Sequence, residues 1–410
     1  MNFVPYAIPF FVLAILIEIA YGAVQGRNTY RLNDSASSLF MGTISQARRF
    51  IVIGVSGYVY HLATEYFSLP LMDTASALTW VLAFIVYDLC YYWFHRISHE
   101  RLLFWASHVA HHQSEDYNLT TALRQTSTSF LIGWIFYLPM YLLGVPAAVV
   151  VTVASINLIY QFWVHSEHIP KLGWFEWFFV TASNHRVHHA QNEVYLDRNY
   201  GGVFILWDRL FGTFQEELDE EPCVYGIRGP LRSFNPVKAN VHIYVDMILD
   251  SWRTSRWQDK CRVWVARTGW RPADVALTHP IQKNDLAEFE KYDPVIARGV
   301  YWYAFFQLIV VLLALNVVGA ADSSYFTGVY QAIFIILTCV TTAQWLQAEQ
   351  SKNTMRWDLL RIAFLWAMAW AAGLPDMVFW ALTLYCLVNL MLLPLAYGSA
   401  TKKQTALASS

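Results

Sequence analysis

Charged residues are scarce in this chain. They make up 14% of its 410 residues, whereas hydrophobic residues make up 56% and aromatic residues 17%. A typical soluble globular protein carries about 25% charged residues. The composition therefore excludes an ordinary soluble protein and predicts an integral membrane protein.

Cysteine pairs, basic runs and nucleotide-binding motifs are also missing. The five cysteines are scattered and include no CxxC pair, so we expect no disulfide framework and no thiolate metal site. The net charge of −2, without a basic tract, gives no reason to expect nucleic acid as a partner. The absence of GxGxxG and P-loop motifs excludes a recognisable nicotinamide, flavin or ATP domain. Any redox reaction would need an external electron donor.

Long apolar segments are abundant instead. A helix needs about 20 mostly apolar residues to cross the roughly 30 Å hydrocarbon core of a bilayer. Open sheet edges cannot span lipid, so we expect an all-α fold with about nine transmembrane helices. The predicted spans are 3–24, 50–70, 76–94, two within 128–163, about 299–320, 326–346, 357–374 and 376–397.

Basic residues in the short loops predict the orientation. Loops that carry Lys and Arg tend to stay in the cytoplasm. We therefore expect the N-terminus outside, and the 95–127 segment, the 164–298 segment and the C-terminus in the cytoplasm, where they form a helical cap. The basic residues that support this topology are Arg27, Arg31, Arg48, Arg49, Lys352, Arg356, Lys402 and Lys403.

Six of the thirteen histidines lie in two copies of one motif, HVAHH at 108–112 and HRVHH at 185–189. The i, i+3, i+4 spacing puts the three imidazoles of each copy on one face of a helix. His95 and His99 are one turn apart at the end of the third span, and His165 follows the fifth. Imidazole binds Fe, Zn, Cu and Ni well. These nine histidines predict a metal site with enough ligands for two neighbouring ions.

The lone histidines His61, His242 and His279 are expected to be polar residues at the membrane interface. The sets contain no thiolate, which argues against a structural zinc finger or an iron–sulfur cluster. A metal transporter or sensor would need polar ligands along the depth of several spans. The histidines gather at one membrane boundary, which favours an enzyme.

The order HxxxH, HxxHH, single His and HxxHH resembles the membrane fatty acid hydroxylase and sterol desaturase superfamily. HRISHE at 95–100, HHQSEDYNLTTALRQT at 111–126, QFWVHSE at 161–167 and the 185–214 segment are similar to its pterin-dependent, ether-lipid-cleaving branch. The resemblance covers residues 5–260, and the last four spans in outline. It implies a diiron centre that activates O2, with the iron ligands His95, His99, His108, His111, His112, His165, His185, His188 and His189.

The resemblance also implies an activity. The expected enzyme is an iron-dependent monooxygenase that hydroxylates a membrane lipid, most specifically at the carbon next to the ether oxygen of an alkylglycerol. Tetrahydrobiopterin or another reduced pterin is the implied donor, and Glu100 is the residue expected to bind it. The alternative is a fatty acid, sterol or carotenoid hydroxylase or desaturase with a separate redox partner, because the shape of a lipid pocket decides the substrate.

We expect three further residues near the motifs to influence the metal site. Asp88 lies in an apolar span seven residues before His95, and an ionisable group there usually faces the bundle interior. We expect Asp88 to orient a ligand histidine. Asn184 stands where the branch has a further histidine and is expected to leave one iron with a water or weaker ligand. His168 is an extra histidine and a candidate replacement.

These features predict five regions along the chain. They are N-terminal transmembrane helices at 1–75, a fatty acid hydroxylase-like catalytic domain at 76–260, a cytosolic linker at 261–298, a four-helix transmembrane region at 299–398 and a polar tail at 399–410. Within 242–265, Tyr244, Met247, Ile248 and Trp252 precede basic residues, which predicts a helix lying on the bilayer surface.

Overall fold

The structure is a computed structural model that describes residues 1–47, 55–317, 325–347 and 352–408. Throughout these ranges the regular structure is helical, apart from three isolated β-bridges. The predicted all-α class is confirmed. Arg48, Arg49 and most of the predicted loop at 321–325 lie outside the described residues.

Eighteen α-helices are defined in the described ranges. Short 3-10 turns at Ser129–Leu131, Gly133–Tyr137, Gly173–Trp177 and Glu193–Tyr195 connect some of them. The helices are α1 Val4–Val24, α2 Leu32–Ala47, α3 Val55–Tyr66, α4 Ala77–Glu100, α5 Leu102–Ala106, α6 Val109–His112, α7 Leu119–Ala122, α8 Leu138–Leu142, α9 Ala147–Trp163, α10 Ala182–His189, α11 Leu206–Phe211, α12 Pro236–Arg253, α13 Trp257–Arg262, α14 Ala273–Thr278, α15 Arg298–Val317, α16 Tyr325–Trp345, α17 Lys352–Ala371 and α18 Asp376–Ala408.

Five helices in the described residues are long and apolar enough to cross a membrane, namely α1, α4, α15, α16 and α18. The described part of α3 has 12 residues and α9 has 17, which is short for a span. Charged residues in the first half of α17 interrupt its apolar character. Residues 128–142 form two 3-10 turns and the short α8 rather than one full span, because Gly133 and Pro139 interrupt a regular helix.

The first compact unit lies within residues 1–30, 54–231 and 240–290. Its core is built by α4, α8 and α9, where Ala83 and Cys90 pack with Met140 and Val149. On α1, Phe11 stacks on Phe162 of α9 with ring centroids 4.0 Å apart. These contacts hold α1, α4 and α9 together, and the ends of α4 and α9 carry the first histidines.

A buried carboxylate in α1 strengthens this arrangement. Glu18 accepts hydrogen bonds from the Ser166 hydroxyl (2.5 Å), the Leu119 backbone N–H (2.9 Å) and the Tyr30 hydroxyl. Ser166 directly follows His165 in the chain. An ionisable residue within an apolar span costs free energy unless it is paired, so Glu18 ties α1 to the histidine-bearing segments.

The second compact unit lies within residues 31–53, 232–239 and 291–410 and contains α2 and α15–α18. The Arg361 guanidinium donates to Asp358 over 2.7 Å, and both side chains are fully buried. Asp358 also accepts from Trp345 (2.9 Å) and Thr341 (3.0 Å), so the pair is embedded in a polar network. In the predicted polar tail, α18 continues to Ala408, because Lys, Gln and Ala are good helix formers.

Candidate metal centre

The nine motif histidines form two largely buried groups in the first unit. Within each group, one potential ligand atom per residue lies within 4.8 Å of all the others. The five-histidine group contains His95, His99, His108, His112 and His188, and the four-histidine group contains His111, His165, His185 and His189. The structure thus brings together all nine residues that the sequence selected.

The two repeated motifs exchange one histidine each. The i, i+4 pair His108 and His112 stays in the five-histidine group, and the pair His185 and His189 stays in the four-histidine group. The third histidine of each motif, His111 or His188, joins the pair of the other motif. Because adjacent residues on a helix project about 100° apart, α6 and α10 can each face both groups.

The distances between the imidazole nitrogens fit a shared metal ion. Two nitrogens bound to one ion at about 2.1 Å lie roughly 3.0–3.4 Å apart, depending on the coordination angle. Neutral imidazoles whose lone pairs face each other at this distance would repel without a cation between them. The Nε2 separations are 3.1 Å for His95–His108, His99–His112, His108–His112 and His165–His185, and 3.4 Å for His111–His165.

Backbone carbonyls fix the tautomers of four of these histidines. A carbonyl can only accept, so Nδ1 must carry the hydrogen and Nε2 presents a lone pair to the group. In addition, the buried Nε2 atoms of His188 and His189 have no hydrogen-bond partner. Each of these Nδ1 atoms donates to a backbone carbonyl: His95 to that of Tyr200 (2.9 Å), His111 to that of Arg124 (2.9 Å), His165 to that of Gln161 (2.8 Å) and His188 to that of Arg198 (2.9 Å).

Burial keeps the imidazoles neutral. Desolvation lowers the pKa of His111 to about 4, and the charge of nearby Arg124 acts in the same direction. Desolvation also lowers the pKa of His108, His112, His165, His185, His188 and His189 well below the ordinary value. Neutral imidazole is the form that binds metal. Each group could therefore hold a metal ion.

Two arginines that the sequence interpretation missed position the ligands. Arg186, inside the HRVHH motif, donates to the backbone carbonyls of Ser166 (3.0 Å) and Ile169 (2.7 Å), next to His165. Arg124 donates from Nε to the Ala110 carbonyl over 2.8 Å, while its own carbonyl accepts from His111. The signal for Arg186 was a charged residue placed between ligands at a helical spacing.

Asp88 holds a backbone segment rather than a histidine. Its carboxylate accepts from the N–H groups of Val203 and Phe204 (both 2.9 Å), from the Trp207 indole (3.0 Å) and from the Asn157 amide (2.6 Å). The next residues upstream lead to Tyr200, whose carbonyl accepts from His95. Asp88 therefore acts on the metal centre through this segment and through Asn157, whose Oδ1 accepts from the side chain of Gln161, the residue whose carbonyl binds His165.

Glu100 lies at the end of α4, outside both histidine groups. Its Oε1 accepts from Arg96 Nε over 2.8 Å, and the carboxylate is 28% exposed. Arg96 also donates to the Tyr92 hydroxyl over 3.1 Å. Glu100 thus forms an ion pair with Arg96, and its carboxylate remains partly accessible to solvent.

The structure shows what the Asn184 and His168 side chains contact. The Asn184 side chain accepts from the backbone N–H of Thr181 over 3.2 Å and caps α10 with it. His168 packs edge-on against Tyr21 of α1, with ring centroids 5.2 Å apart. His168 belongs to neither histidine group. That Asn184 leaves one iron with a water or weaker ligand, and that His168 replaces it, stay predictions.

The three lone histidines differ in their surroundings. His61 is exposed and pairs with Glu65 over 3.0 Å, and the exposed His279 contacts the Thr278 hydroxyl over 3.0 Å. His242 on α12 lies 3.5 Å from the side-chain amide of Gln113, and Gln113 directly follows His112 in the sequence. His61 and His279 are therefore better reference positions for mutagenesis than His242.

Comparisons with known proteins fit this geometry. Residues 80–213, which include all nine histidines, match the family described as fatty acid hydroxylase. Human alkylglycerol monooxygenase is 34% identical over 371 residues, which cover 89% of this chain and 82% of the relative. The Xenopus tropicalis alkylglycerol monooxygenase is 38% identical, covering 74% and 67% of the two chains. Human lathosterol oxidase is 28% identical over 37% of this chain and 48% of its own. No solved structure matches the chain.

The helical fold, the apolar helices and the paired histidine groups define an integral membrane protein of the fatty acid hydroxylase class. Within that class, the chain belongs to the alkylglycerol monooxygenase family.

Proposed function

We propose that this protein is a diiron monooxygenase that hydroxylates a membrane lipid at the carbon next to the ether oxygen of an alkylglycerol. The observation that carries the proposal is the pair of buried imidazole groups, with Nε2 atoms 3.1–3.4 Å apart. The substrate follows from relatives that are named alkylglycerol monooxygenases.

The nine histidines would hold two iron ions, one in each group. Bound iron would supply the reductive activation of O2 that insertion into a C–H bond requires. The protein contributes neutral, buried ligands, held by the carbonyls of residues such as Arg124 and Arg198. Imidazole ligands without thiolate suit iron.

The overall reaction balances with a two-electron donor. One oxygen atom of O2 enters the C–H bond, and the other leaves as water after accepting two electrons and two protons from a reduced pterin. The new hydroxyl next to the ether oxygen makes a hemiacetal. Its C–O bond then breaks to release an aldehyde and a glycerol derivative. We propose that Glu100, which remains 28% exposed, binds the amino-pyrimidine edge of the pterin.

The topology is part of the proposal. The five apolar helices, together with the segments around α3, 128–142, α9 and α17, would make nine crossings and place the metal centre on the cytoplasmic side. Basic loops support that side. Since α1 and α4 belong to the same unit as the histidines, a lipid substrate would reach the centre from the bilayer.

The decisive experiment is an assay of the purified, iron-loaded protein with an alkylglycerol, a fatty acid and a sterol, each with either a tetrahydropterin or a ferredoxin-type donor. We expect aldehyde release from the alkylglycerol with pterin only. A hydroxylated or desaturated fatty acid or sterol, formed with the protein donor and without pterin, would support the alternative that the lathosterol oxidase relative represents.

A further inference from the structure

Helix α12 presents a stripe of apolar side chains to the outside of the first unit. Val241, Val245, Ile248 and Trp252 are 37%, 45%, 54% and 82% exposed. Their spacing of four, three and four residues puts them on one face of the helix. This face lies on the part of α12 that belongs to the first unit.

The remaining surface of α12, including Tyr244 at the edge of the stripe, packs on the protein. Met247 is buried with Ala106 and Val263. The Tyr244 hydroxyl donates to Thr128 over 3.2 Å, and the Asn240 side chain accepts from the Ser127 N–H over 2.7 Å. The outward stripe takes no part in this packing and is available to another partner.

The structure corrects the face that the sequence predicted for contact with the bilayer. The sequence placed Tyr244 and Met247 on the lipid side together with Ile248 and Trp252. In the structure Met247 points inward and Tyr244, at the edge of the stripe, is half-buried, because α12 has apolar residues on two faces and its packing partner decides which face turns outward. Ile248 and Trp252 remain on the outer face.

Exposed apolar residues and arginines also follow α12 in the chain. Trp257 is 74% exposed and Val265 is 68% exposed. Exposed arginines follow the apolar residues, whereas Asp250 and Asp259 of the same stretch are buried and Asp246 and the nearby Asp274 are half-buried. The surface that faces outward is therefore apolar with a positive border, which is the chemistry of the boundary between acyl chains and anionic headgroups. The arginines are Arg253, Arg256, Arg262 and Arg267.

We propose that α12 and α13 lie in the plane of the membrane, with Val241, Val245, Ile248 and Trp252 embedded in the headgroup–acyl boundary. The occupant of the stripe is the lipid bilayer itself. It must lie beside this unit, because α1 and α4 of the same unit are long and apolar enough to cross it. Positive charge next to exposed indoles selects anionic lipid over a second protein surface.

This placement brings the bilayer surface close to the metal centre. The inner face of α12 contacts residues 126–128, and His242 lies 3.5 Å from Gln113. The segment that carries His111 and His112 is therefore separated from the lipid stripe by a single helix. A lipid headgroup would be held near the centre without leaving the leaflet.

The test uses the full-length protein in nanodiscs of phosphatidylcholine and phosphatidylglycerol, with Cys261→Ser to remove the exposed native thiol. A spin label is attached at Ile248→Cys or Trp252→Cys. The matched control is Glu220→Cys, an exposed position in the same unit. Collision rates with lipid-soluble O2 and with a water-soluble nickel chelate are compared, after subtraction of the signal from the Cys261→Ser protein. The measurement requires no enzymatic activity.

We expect the ratio of O2 to nickel collisions at positions 248 and 252 to exceed the ratio at 220 severalfold. Equal ratios at all three positions would mean that the stripe faces water, and protection of 248 from both reagents would mean that protein covers it. Either result overturns the proposal. Changing Arg253 and Arg262 together to Gln should reduce the ratio at 248 in anionic nanodiscs, and an unchanged ratio would refute the role of the positive border.

Discussion

The Arg186 guanidinium and the Glu217 carboxylate form a bidentate ion pair, with N–O distances of 2.8 and 2.7 Å. The same guanidinium binds the carbonyls of Ser166 and Ile169. It therefore fixes the peptide that follows His165 to helix α10, where His185 Nε2 lies 3.1 Å from His165 Nε2. The geometry of the four-histidine group depends on a charged residue that is not a ligand.

Replacing Arg186 by Lys should release metal from the four-histidine group. Lysine keeps the charge but cannot bind Glu217 at two points while reaching two carbonyls. Removing a residue that orients ligands typically costs about 10–100-fold in metal affinity. Competition with a chelator measures this affinity. The control is Asp219→Asn, which breaks the Lys171–Asp219 pair on the surface, where Asp219 is 91% exposed. Equal metal loss in both variants would contradict the positioning role.

Pairs of histidine substitutions should reveal the exchange between the two motifs. His111→Ala combined with His185→Ala should lose one ion, because both residues belong to the four-histidine group. His111→Ala combined with His112→Ala should lose both ions, although these two residues are neighbours in the chain. Metal content per chain, with His279→Ala as the control, distinguishes the two results. If sequence neighbours lost one ion and spatial neighbours lost two, the grouping would be wrong.

Removal of metal should lower the thermal stability without releasing the protein from the membrane. The apolar helices insert independently of the imidazoles, but the neutral nitrogens of the two groups lose the cations that offset their mutual repulsion. Ligand binding stabilises the folded state by about 1.4 kcal/mol for each tenfold excess of metal over its dissociation constant.

Zinc is the control for that experiment, because it fits the same spacing and has no redox chemistry. Zinc reloading should restore the melting temperature but not the activity, and iron should restore both. Thermal melting of the detergent-solubilised protein measures the first and aldehyde release the second. A melting temperature that is indifferent to both metals would contradict the metal-centre proposal.

Replacing Glu100 by Gln should raise the pterin concentration needed for half the maximal rate by about 10- to 100-fold, which corresponds to the loss of a charged hydrogen bond. Iron content should be unchanged, since Glu100 lies outside both histidine groups. The matched variant is Arg96→Gln, which removes the other half of the 2.8 Å ion pair. If both variants have the same effect, or neither changes the pterin dependence, Glu100 serves only to bind Arg96.

Replacing Asp88 by Asn should destabilise the first unit. The amide nitrogen would face two of the four donors now bound by the carboxylate, at a cost of about 1–3 kcal/mol for each donor left unpaired. The melting temperature and the iron content should fall together, because Asp88 holds the segment that leads to Tyr200. Asp73→Asn, in an exposed turn, is the control. Activity loss with normal iron content and stability would instead assign Asp88 a direct role in the reaction.

The sequence by itself determined the features that depend on local spacing and composition. Apolar length predicted α1, α4, α15, α16 and α18, because a bilayer imposes a fixed thickness on any helix that crosses it. The one-turn spacing of His95 and His99, and of the two HxxHH motifs, selected all nine clustered histidines. Helix geometry relates such residues without any knowledge of the fold.

Only the tertiary structure decided which groups share a site. The exchange of His111 and His188 between motifs depends on how α6 and α10 pack. Glu18 contacts Leu119 and Ser166, which are 101 and 148 residues away in the chain, and Glu217 contacts Arg186, which is 31 residues away. Likewise α12 has apolar residues on two faces, and its packing against Ala106 and Val263 turned Met247 inward and left Ile248 outside. Local spacing restricts where a side chain can project, but the partner it meets is set by packing between segments that are distant in the chain.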